Sequence, residues 1–440
     1  MNNLIVSQFS GSSLSTPEGV KRAAEIIKSD SSRHFVIVSA PGKTHDEIGI
    51  TDMLYMCYSN FSNSETYHDI LRKIHERYEA IIDSLGITFD IKSEIEALTA
   101  DLVSGKSSDF IVSRGEYIMS GIMASYLGWE RIDAADIICF NDDGTLNESE
   151  TLRLSRERLT GTNHAVIPGF YGAMTSRGVK TFPRKGGDIT GGLIACSVDA
   201  GLFEKWNMSR EIFSVDPSLI ASPAVIRNLT YTETLELNYI GVGILHDDVI
   251  TLLMNSGIPA SIRSTENPED AGTLITSDIP EDVKRSVTVC IAGRRKFNVV
   301  HIEKFGVNRI CGFGEKLLRV FAGYGIACEH CLSGIHKMSV VLKTPIFDLR
   351  RNDILNDIRR VVEADSVRIE GNLSLIAVIG KGMGTVKGTF AKAFNALADS
   401  GINVRMIDHG SDDLNIIIGV HDDDFEESIE ALYQAMIVKG

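Results

Sequence analysis

The sequence predicts an α/β protein in which a mostly parallel sheet, covered by helices on both faces, is followed by two smaller α/β modules. Two observations indicate this organisation. Strand-like apolar runs alternate with helical patterns over the first two-thirds of the chain, which is typical of parallel sheets. The last third instead repeats a single pattern at a constant offset. A chain of 440 residues is also too long for one hydrophobic core.

The alternation begins at the N-terminus, where an apolar run at Leu4 to Val6 ends in the small residues Ser10 to Ser13. Thr16 as N-cap and Pro17 in the first turn predict the start of a helix. The later elements are a strand at His34 to Val38, an apolar run at Phe110 to Val112 before a helix with Ile118, Ile122 and Tyr126, an apolar pair at Val166 and Ile167, a helix at Ile189 to Val198 and a strand at Ile212 to Val215. Ligands of such sheets bind beyond the carboxyl ends of the strands, so we expect the functional residues in the intervening loops.

The repeat in the last third pairs Gly325-Ile326 with Gly401-Ile402, each after a helical stretch. At the same offset Val340 to Leu342 corresponds to Ile416 to Ile418. Each copy has the order strand, helix, strand, strand, helix, which predicts a ferredoxin-like βαββαβ unit used twice. The glycine-rich turns that open the first helix of each copy could bind a carboxylate through backbone N–H groups, or could simply make tight turns.

Charge and cysteine content restrict the classes of partner. A formal net charge of −15 repels a phosphate backbone, so nucleic acid is not an expected partner. No leader or membrane-spanning run is visible, and the 7 cysteines are scattered, so we expect a cytoplasmic protein with reduced thiols and no membrane contact. Cys328, His330 and Cys331 could form half of a metal site, but strand-lining thiols are the better interpretation.

Three segments carry residues that could bind a ligand or take part in a reaction. The loop at Ser10 to Ser13 suits a phosphate or a carboxylate. Glu116, placed just inside a helix start, could pair with an ammonium group or only favour the helix dipole. Arg184 and Lys185 precede two glycines and Asp188 before an apolar helix, where an arginine can hold a carboxylate bidentately. Helix capping alone explains Asp188, but it does not explain the two adjacent cations.

Together these loops resemble the aspartokinases. The segments that carry the resemblance, in order, are Val6 to Ser13, Val38 to Lys43, Thr51-Asp52-x-Leu54, Ser113-x-Gly115-Glu116, Pro168-Gly169-Phe170-x-Gly172, Arg184-x-Gly186-x-Asp188, Asn267-Pro268 and Gly272-Thr273. The tail, with Glu329-His330, Ser333 to Ile335 and Ile402 to Ile407, resembles the paired ACT regulatory domains of the same family. The resemblance covers nearly the whole chain.

The resemblance implies transfer of the γ-phosphoryl group of Mg²⁺-ATP to L-aspartate, in an amino-acid kinase domain with an α/β/α arrangement. It implies substrate contacts from Ser12, Thr51, Glu116, Phe170 and Arg184, with Glu116 on the ammonium group and Arg184 on the α-carboxylate. Asp188 would organise the transferring end, with Arg184 and residue 8 as further catalytic positions. The implied nucleotide contacts are Gly11, Ser39, Lys185, Ser214 and Asp216, and the implied effector contacts are Gly312, Glu329 and Ser333.

The nucleotide side departs from the family pattern. Gln8 replaces the phosphate-binding lysine of the family motif, Gly187 replaces a serine, and Gly243 replaces another lysine. Segments at Phe213 to Pro217 and Ser222 to Ala224 also lack a family aspartate and arginine. Each charge-assisted contact is worth roughly 1.5–3 kcal/mol, so we expect weaker nucleotide binding or a lower rate. Lys185, a glycine in the family pattern, is a candidate to compensate.

Two functions follow from this pattern. The first is an aspartokinase that feeds lysine, threonine and methionine synthesis and is regulated by lysine or threonine at its ACT domains. The second is a catalytically impaired relative that binds an acidic amino acid as a sensor or regulatory subunit, or for other chemistry. The expected domains are residues 1–280 for the kinase, 281–296 for a linker, and 297–370 and 371–440 for two ACT domains that could interleave. We expect a homodimer or a higher homo-oligomer.

Overall fold

The structure, a computed structural model, describes residues 3–45, 47–61, 64–176, 178–183, 185–208, 211–280, 283–410 and 413–439. The chain divides into two units. The first comprises Met1–Ile212, Arg227–Leu235 and Gly243–Pro280, and the second comprises Phe213–Ile226, Glu236–Val242 and Glu281–Gly440. Among the described residues, no helix is both long enough and apolar enough to cross a membrane.

Nine described helices lie between the N-terminus and residue 280. They are α1 Pro17–Ser29, α2 Ile50–Ser59, α3 Ser64–Leu85, α4 Ile91–Val103, α5 Ser108–Leu127, α6 Glu148–Leu159, α7 Gly186–Ser197, α8 Tyr231–Ile240 and α9 Asp247–Ser256. The start of α1 confirms the sequence prediction, because Thr16 Oγ1 accepts a hydrogen bond from Gly19 N–H at 3.1 Å.

The strands of the same region form two sheets. They are β1 Ile5–Phe9, β2 Arg33–Val38, β3 Glu130–Arg131, β4 Cys139–Phe140, β5 Ala165–Pro168, β6 Tyr171–Met174, β7 Gly178–Thr181, β8 Leu202–Asn207, β9 Asn228–Thr230, β10 Ala260–Ser264 and β11 Thr273–Thr276. The larger sheet has the order β3-β5-β2-β1-β8-β10-β11-β9, and among the pairs that the described residues form in it only β10–β11 is antiparallel. The smaller sheet is β4-β6-β7. The mostly parallel sheet is thus confirmed.

The C-terminal region confirms the predicted repeat. Its elements are β12 Cys290–Glu303, α10 Phe313–Gly323, β13 His330–Ser333, β14 Lys337–Lys343, α11 Thr344–Asp348, α12 Arg351–Val362, β15 Ser366–Ile379, α13 Thr389–Asp399, β16 Met406–His409, β17 Asn415–His421 and α14 Phe425–Tyr433. Short 3₁₀ segments lie at Ala134–Asp136, Val307–Arg309 and Asp422–Asp424, and a π-helical turn at Gln434–Val438 follows α14. All strands of this region join in one antiparallel sheet of order β13-β14-β12-β15-β17-β16.

The boundaries in the structure differ from the predicted domains. The segment 281–296 is not wholly a linker, since β12 begins at Cys290, and the predicted boundary at 371 lies inside β15. Residues 213–226 belong to the second unit although they precede it in sequence. The cause is apolar packing, because Val215 is buried in one core with Ile291 and Ile376.

Two local predictions are wrong. The run Phe110 to Val112 lies inside α5. The start of this helix is fixed by Ser107, whose side chain accepts a hydrogen bond from Phe110 N–H at 3.2 Å. The strand expected at Ile212 to Val215 is reduced to an isolated bridge between Phe213 and Val225. The strand that enters the sheet here is β8, which precedes the predicted position.

A buried ion pair joins the centre of the sheet. Glu204 on β8 lies 2.8 Å from Arg33 Nε, and it also accepts hydrogen bonds from Ser7 Oγ at 2.8 Å and Trp206 Nε1 at 2.9 Å. Burial raises the pKa of Glu204, but the Arg33 guanidinium together with Trp206 and Ser7 holds this pKa below its ordinary value. Glu204 therefore stays ionised inside the sheet and ties β1, β2 and β8 together.

We predict that Arg33→Met lowers the stability of the first unit by about 3–5 kcal/mol. The change leaves the buried Glu204 charge with only the longer contact to Arg263 Nη1, at 3.5 Å. The measurement is urea unfolding followed by tryptophan fluorescence, since both of the 2 tryptophans, Trp129 and Trp206, lie in this unit. Arg72→Met is the control, because its pairs with Asp69 and Glu76 are exposed to solvent and contribute little to stability. Equal losses for the two variants would contradict the prediction.

Candidate active site

The loops that follow β1 and β2 lie against each other through their backbones. Gly42 N–H donates to Gly11 O at 2.7 Å, and Ser39 N–H donates to Phe9 O at 3.2 Å. A Cβ atom on Gly11 would lie 2.8 Å from Ala40 O, so a larger residue would separate the two loops. Gly11 and Ser39, both predicted nucleotide contacts, are thereby held at one edge of the sheet.

Ser12 lies in the same loop, exposed, with its Oγ 2.8 Å from Ser10 Oγ. Thr51 lies half-buried in the first turn of α2. Helix α5 packs against this turn, since a Cβ atom on Gly115 would lie 3.0 Å from Ala40 Cβ and 3.3 Å from Ile50 Cγ2. The structure therefore places the loops after β1 and β2, the start of α2 and the middle of α5 in contact.

Glu116 is buried in this contact region, with 5% of the residue exposed. Its Oε1 accepts a hydrogen bond from Ala40 N–H at 3.2 Å, whereas its Oε2 has no hydrogen-bond partner in the part of the chain that the structure describes. Burial raises the pKa of Glu116 to about 7, although the hydrogen bond from Ala40 opposes this rise. Because Glu116 lies in the interior of α5 rather than at its start, the expectation of a helix-start residue is wrong.

Phe170 and the start of α7 form another side of the candidate site. Phe170 has a φ of 81°, and its N–H donates to Thr190 Oγ1 at 3.1 Å. A Cβ atom on Gly169 would lie 2.9 Å from Gly187 Cα, so the loop after β5 and the first turn of α7 are in close contact. This contact brings Phe170 beside the turn that carries Asp188.

Asp188 is held by Lys205, a residue outside the segments that resemble the aspartokinases. Lys205 Nζ lies 2.6 Å from Asp188 Oδ2 and also donates to Ile244 O at 2.9 Å. Only 3% of Asp188 and 6% of Lys205 are exposed. The pair is therefore a buried, hydrogen-bonded ion pair at the start of α7.

Gln8 lies beside this pair. It is the direct strand neighbour of Lys205 in the parallel β1–β8 register. Its Nε2 donates to Ser39 Oγ at 3.4 Å, and its Oε1 is buried without a hydrogen-bond partner among the described residues. The structure thus brings the predicted residues Gln8, Ser39 and Asp188 into one neighbourhood.

Lys185 occupies the N-cap position of α7 with a φ of 67°. Its Nζ donates to Gly243 O at 2.8 Å, so its ammonium group is held by the segment that precedes α9. Arg184, predicted to hold the substrate carboxylate, lies outside the described residues.

Ser214 and Asp216 are not among the residues that these contacts bring together. Both belong to the second unit. Ser214 Oγ donates to Ala224 O at 3.0 Å and is buried, and Asp216 Oδ1 accepts a hydrogen bond from Ser218 N–H at 2.8 Å. Their assignment to the nucleotide stays a prediction.

The predicted effector residues lie around the β13–β14 hairpin of the second unit. Gly312, with a φ of 74°, precedes α10, and Ser333 ends β13. Glu329 is already engaged, because its carboxylate lies 2.9 Å from Lys343 Nζ and accepts a hydrogen bond from Tyr239 OH at 3.0 Å. Any ammonium ligand at Glu329 must therefore compete with Lys343.

Known proteins resemble this chain over nearly its whole length. The sequence matches the amino acid kinase family over residues 3–264 and an ACT domain over residues 376–436. Aspartokinase 3 of Bacillus subtilis (strain 168) is 31% identical over an alignment of 448 residues that covers 98% of each chain. The chain belongs to the aspartokinase family.

Other aspartokinases extend the likeness to structure. The crystal structure of aspartate kinase from Clostridium acetobutylicum matches with a TM-score of 0.90 and 38% identity, over 98% of this chain and 99% of that chain. E. coli aspartokinase III, solved in complex with aspartate and ADP, matches with a TM-score of 0.75 at 22% identity, which shows the fold alone. A bifunctional aspartokinase/homoserine dehydrogenase of Zea mays is matched over only 50% of its length.

Two candidate functional residues, Lys205 and Arg77, lie outside the segments that resemble the aspartokinases. Lys205 lies on β8, which the sequence analysis missed because Glu204 and Lys205 interrupt its apolar pattern. Arg77 on α3 donates to Ser15 O at 3.1 Å, Ile48 O at 2.8 Å and Gly42 O, and so joins the loops around the site. Two adjacent charges between apolar residues were the available signal for Lys205, but nothing in the local sequence singled out Arg77.

We predict that Glu116→Gln makes the ligand-free protein more stable than the parent at about pH 8, by up to about 3 kcal/mol, with little difference near pH 5. The pKa of Glu116 rises from 4.5 in the unfolded chain to about 7 when folded. Its contribution to stability is therefore complete below about pH 4.5 and is lost as the pH rises through about 7.

The measurement is urea unfolding of parent and variant at both pH values. The matched control is Glu96→Gln on α4, because 69% of the Glu96 side chain is exposed. A stability difference for Glu116→Gln that does not change with pH would contradict the assignment.

Proposed function

We propose that this protein transfers the γ-phosphoryl group of ATP to the side-chain carboxylate of L-aspartate, giving 4-phospho-L-aspartate and ADP. The observation that carries the proposal is Glu116, a buried carboxylate with one unpartnered oxygen at the loop edge of the sheet. Burial without a partner is costly, and an ammonium group would supply both charge and hydrogen bonds. Aspartokinases related over nearly the full chain support the same reaction.

On the aspartate side, Glu116 would accept the substrate ammonium group while Ser12 and Thr51 supply hydroxyl groups. Phe170 would form an apolar wall, and its position is fixed by the hydrogen bond to Thr190. Arg184 would hold the α-carboxylate through the paired N–H groups of its guanidinium. Aspartate held in this way would direct its side-chain carboxylate toward the phosphate.

The transfer forms one bond from a carboxylate oxygen of aspartate to the γ-phosphorus and breaks the bond from that phosphorus to the bridging oxygen of ADP. The electron pair leaves with ADP, and no proton needs to move. The residues around the site therefore act by positioning and by neutralising charge. Mg²⁺ bound with ATP would supply further neutralisation. Nucleotide-bound Mg²⁺ takes many of its ligands from phosphates and water, which is compatible with the absence of a three-residue metal cluster among the described residues.

The binding-only alternative rested on the cations that the nucleotide motifs lack. Relatedness over 98% of both chains favours the kinase. Lys205, the lysine paired with Asp188, supports the kinase as well, because it supplies a cationic group beside Gln8.

We predict that the parent, supplied with aspartate, ATP and Mg²⁺, forms aspartyl hydroxamate when hydroxylamine is present, since hydroxylamine traps the acyl phosphate. The Michaelis constant for aspartate should fall by up to about tenfold between about pH 6 and pH 8, because Glu116 must ionise to bind the ammonium group. Glu116→Gln should raise this constant and remove its pH dependence, with no such change for Glu96→Gln.

Two results would count against the kinase. The first is a parent that gives no hydroxamate and no ATP-dependent thermal shift but is stabilised by aspartate, which would indicate a binding protein. The second is an unchanged pH dependence in Glu116→Gln, which would remove Glu116 from the substrate site.

We further propose that lysine or threonine regulates the enzyme at the first ACT repeat, around Gly312, Glu329 and Ser333. The start of α10 lies over the β13–β14 hairpin, since a Cβ atom on Gly314 would lie 3.5 Å from Met338 Cε, and Met338 pairs with Ser333. E. coli aspartokinase III has been solved with lysine and aspartate, which makes lysine the first candidate. Pairing of such repeats across a homodimer is part of this proposal.

We predict that Lys343→Met tightens binding of the effector several-fold, because it removes the ammonium group that now occupies Glu329. Equilibrium dialysis with lysine and with threonine measures this affinity. Lys337→Met, a change on the same strand that leaves Glu329 paired, is the control. If neither amino acid binds the parent or Lys343→Met, the repeats have a structural role only.

A further inference from the structure

Two of the departures from the family motifs meet at one place in the structure. Gln8, where the family has lysine, is the strand neighbour of Lys205. Gly187, where the family has serine, faces Gln8, since a Cβ atom there would lie 3.2 Å from Gln8 Nε2 and 3.1 Å from Ser39 Oγ. Asp188, next in the chain, holds Lys205. The sequence changes are therefore neighbours in space although they are far apart in the chain.

Lys205 and Gln8 share the face of the sheet that lies under α7. A Cβ atom on Gly191 of α7 would lie 3.4 Å from Gln8 Cβ, and Asp188 of the same helix pairs with Lys205. Glu204, the preceding residue of β8, points to the opposite face and pairs with Arg33. Strand alternation thus separates the charge at Lys205 from the structural ion pair at Glu204.

The contacts of Lys205 leave it able to bind an anion. An ammonium group has three N–H donors. Asp188 Oδ2 and Ile244 O accept two of them, at 2.6 Å and 2.9 Å. Lys205 also lies near the carboxyl end of its strand, where parallel sheets bind their ligands.

We propose that Lys205 is the phosphate-binding cation of this protein and replaces, from the adjacent strand, the lysine that aspartokinases carry at the position of Gln8. The inference rests on the proposed kinase function. In the transfer, Lys205 would donate its remaining N–H to a phosphate oxygen of ATP and neutralise charge as the bond to ADP breaks. Asp188 would hold the ammonium group in place, and Gly187 would leave space beside Gln8.

The test measures kcat/KM for ATP in the full chain for four variants: Lys205→Met, Gln8→Lys, the double variant, and Lys180→Met as control. Lys205→Met should lower kcat/KM by about 10- to 100-fold while aspartate still raises the melting temperature. Adding Gln8→Lys to that variant should recover at least about tenfold, because paired strands lie roughly 5 Å apart and the new amine reaches the same phosphate. Lys180 of β7 pairs with Asp109 of α5 and should be replaceable without effect.

The Gln8→Lys change on its own gives a second measure. If Lys205 already supplies the cation, Gln8→Lys should raise kcat/KM at least about tenfold less in the parent than in the Lys205→Met background, because two ammonium groups would compete for one site. A gain of about tenfold or more in the parent would show that the cation was missing and would overturn the proposal, whether or not Lys205→Met folds.

Two further outcomes would also overturn it. One is a Lys205→Met variant with parental kcat/KM, and the other is a folded, impaired Lys205→Met that Gln8→Lys fails to rescue. These failures differ from a failure of the kinase function. In that case the parent itself would neither form hydroxamate nor bind nucleotide, and both proposals would fall together.

Discussion

Alternation of side chains along β8 allows two opposite charges to be buried one residue apart. Glu204 faces the side of Arg33, Ser7 and Trp206, while Lys205 faces Asp188 and α7. Each charge has its own counter-charge, so neither leaves an uncompensated charge in the sheet. The β1–β8 pairing aligns both with the strand that carries Gln8, and through it with the loop that carries Gly11. The candidate active site therefore depends on one strand whose two faces have separate electrostatic roles.

This arrangement explains why the motifs indicate a missing cation near position 8 while the structure has one there. A motif compares residues at fixed positions along the chain, and at position 8 a cation has been lost. A phosphate group interacts with any charge that lies close to it in space, and Lys205, the strand neighbour of Gln8, carries a positive charge. Because neighbouring parallel strands align their side chains at the same level, a residue can be replaced functionally by its cross-strand neighbour.

The sequence was informative where local rules determine structure. The Thr16 cap, the strand and helix alternation and the C-terminal repeat all rest on short-range patterns, and the structure confirms them. It was uninformative where distant residues decide. Nothing near Glu204 and Lys205 indicates that Arg33 and Asp188 neutralise them, so β8 looked too polar to be a central strand. The sequence predicts Glu116 as a substrate contact, but the depth of its burial depends on α2 and the loop after β2.

Glu116 also shows how stability and binding are linked in this site. Its unpartnered Oε2 has lost water without gaining a donor, which disfavours the ionised form and raises the pKa to about 7. A cationic ligand would reverse that cost by restoring the missing partner. Ionisation of Glu116 therefore lowers the stability of the ligand-free protein at neutral pH but raises its affinity for the ligand. Lys205 is in a different position, because Asp188 and Ile244 already satisfy it in part. Glu116 is therefore electrostatically incomplete until a ligand arrives, whereas Lys205 is largely preorganised. Preorganised positive charge suits a step in which negative charge develops on a leaving group, and an incomplete carboxylate suits selective binding of an ammonium group.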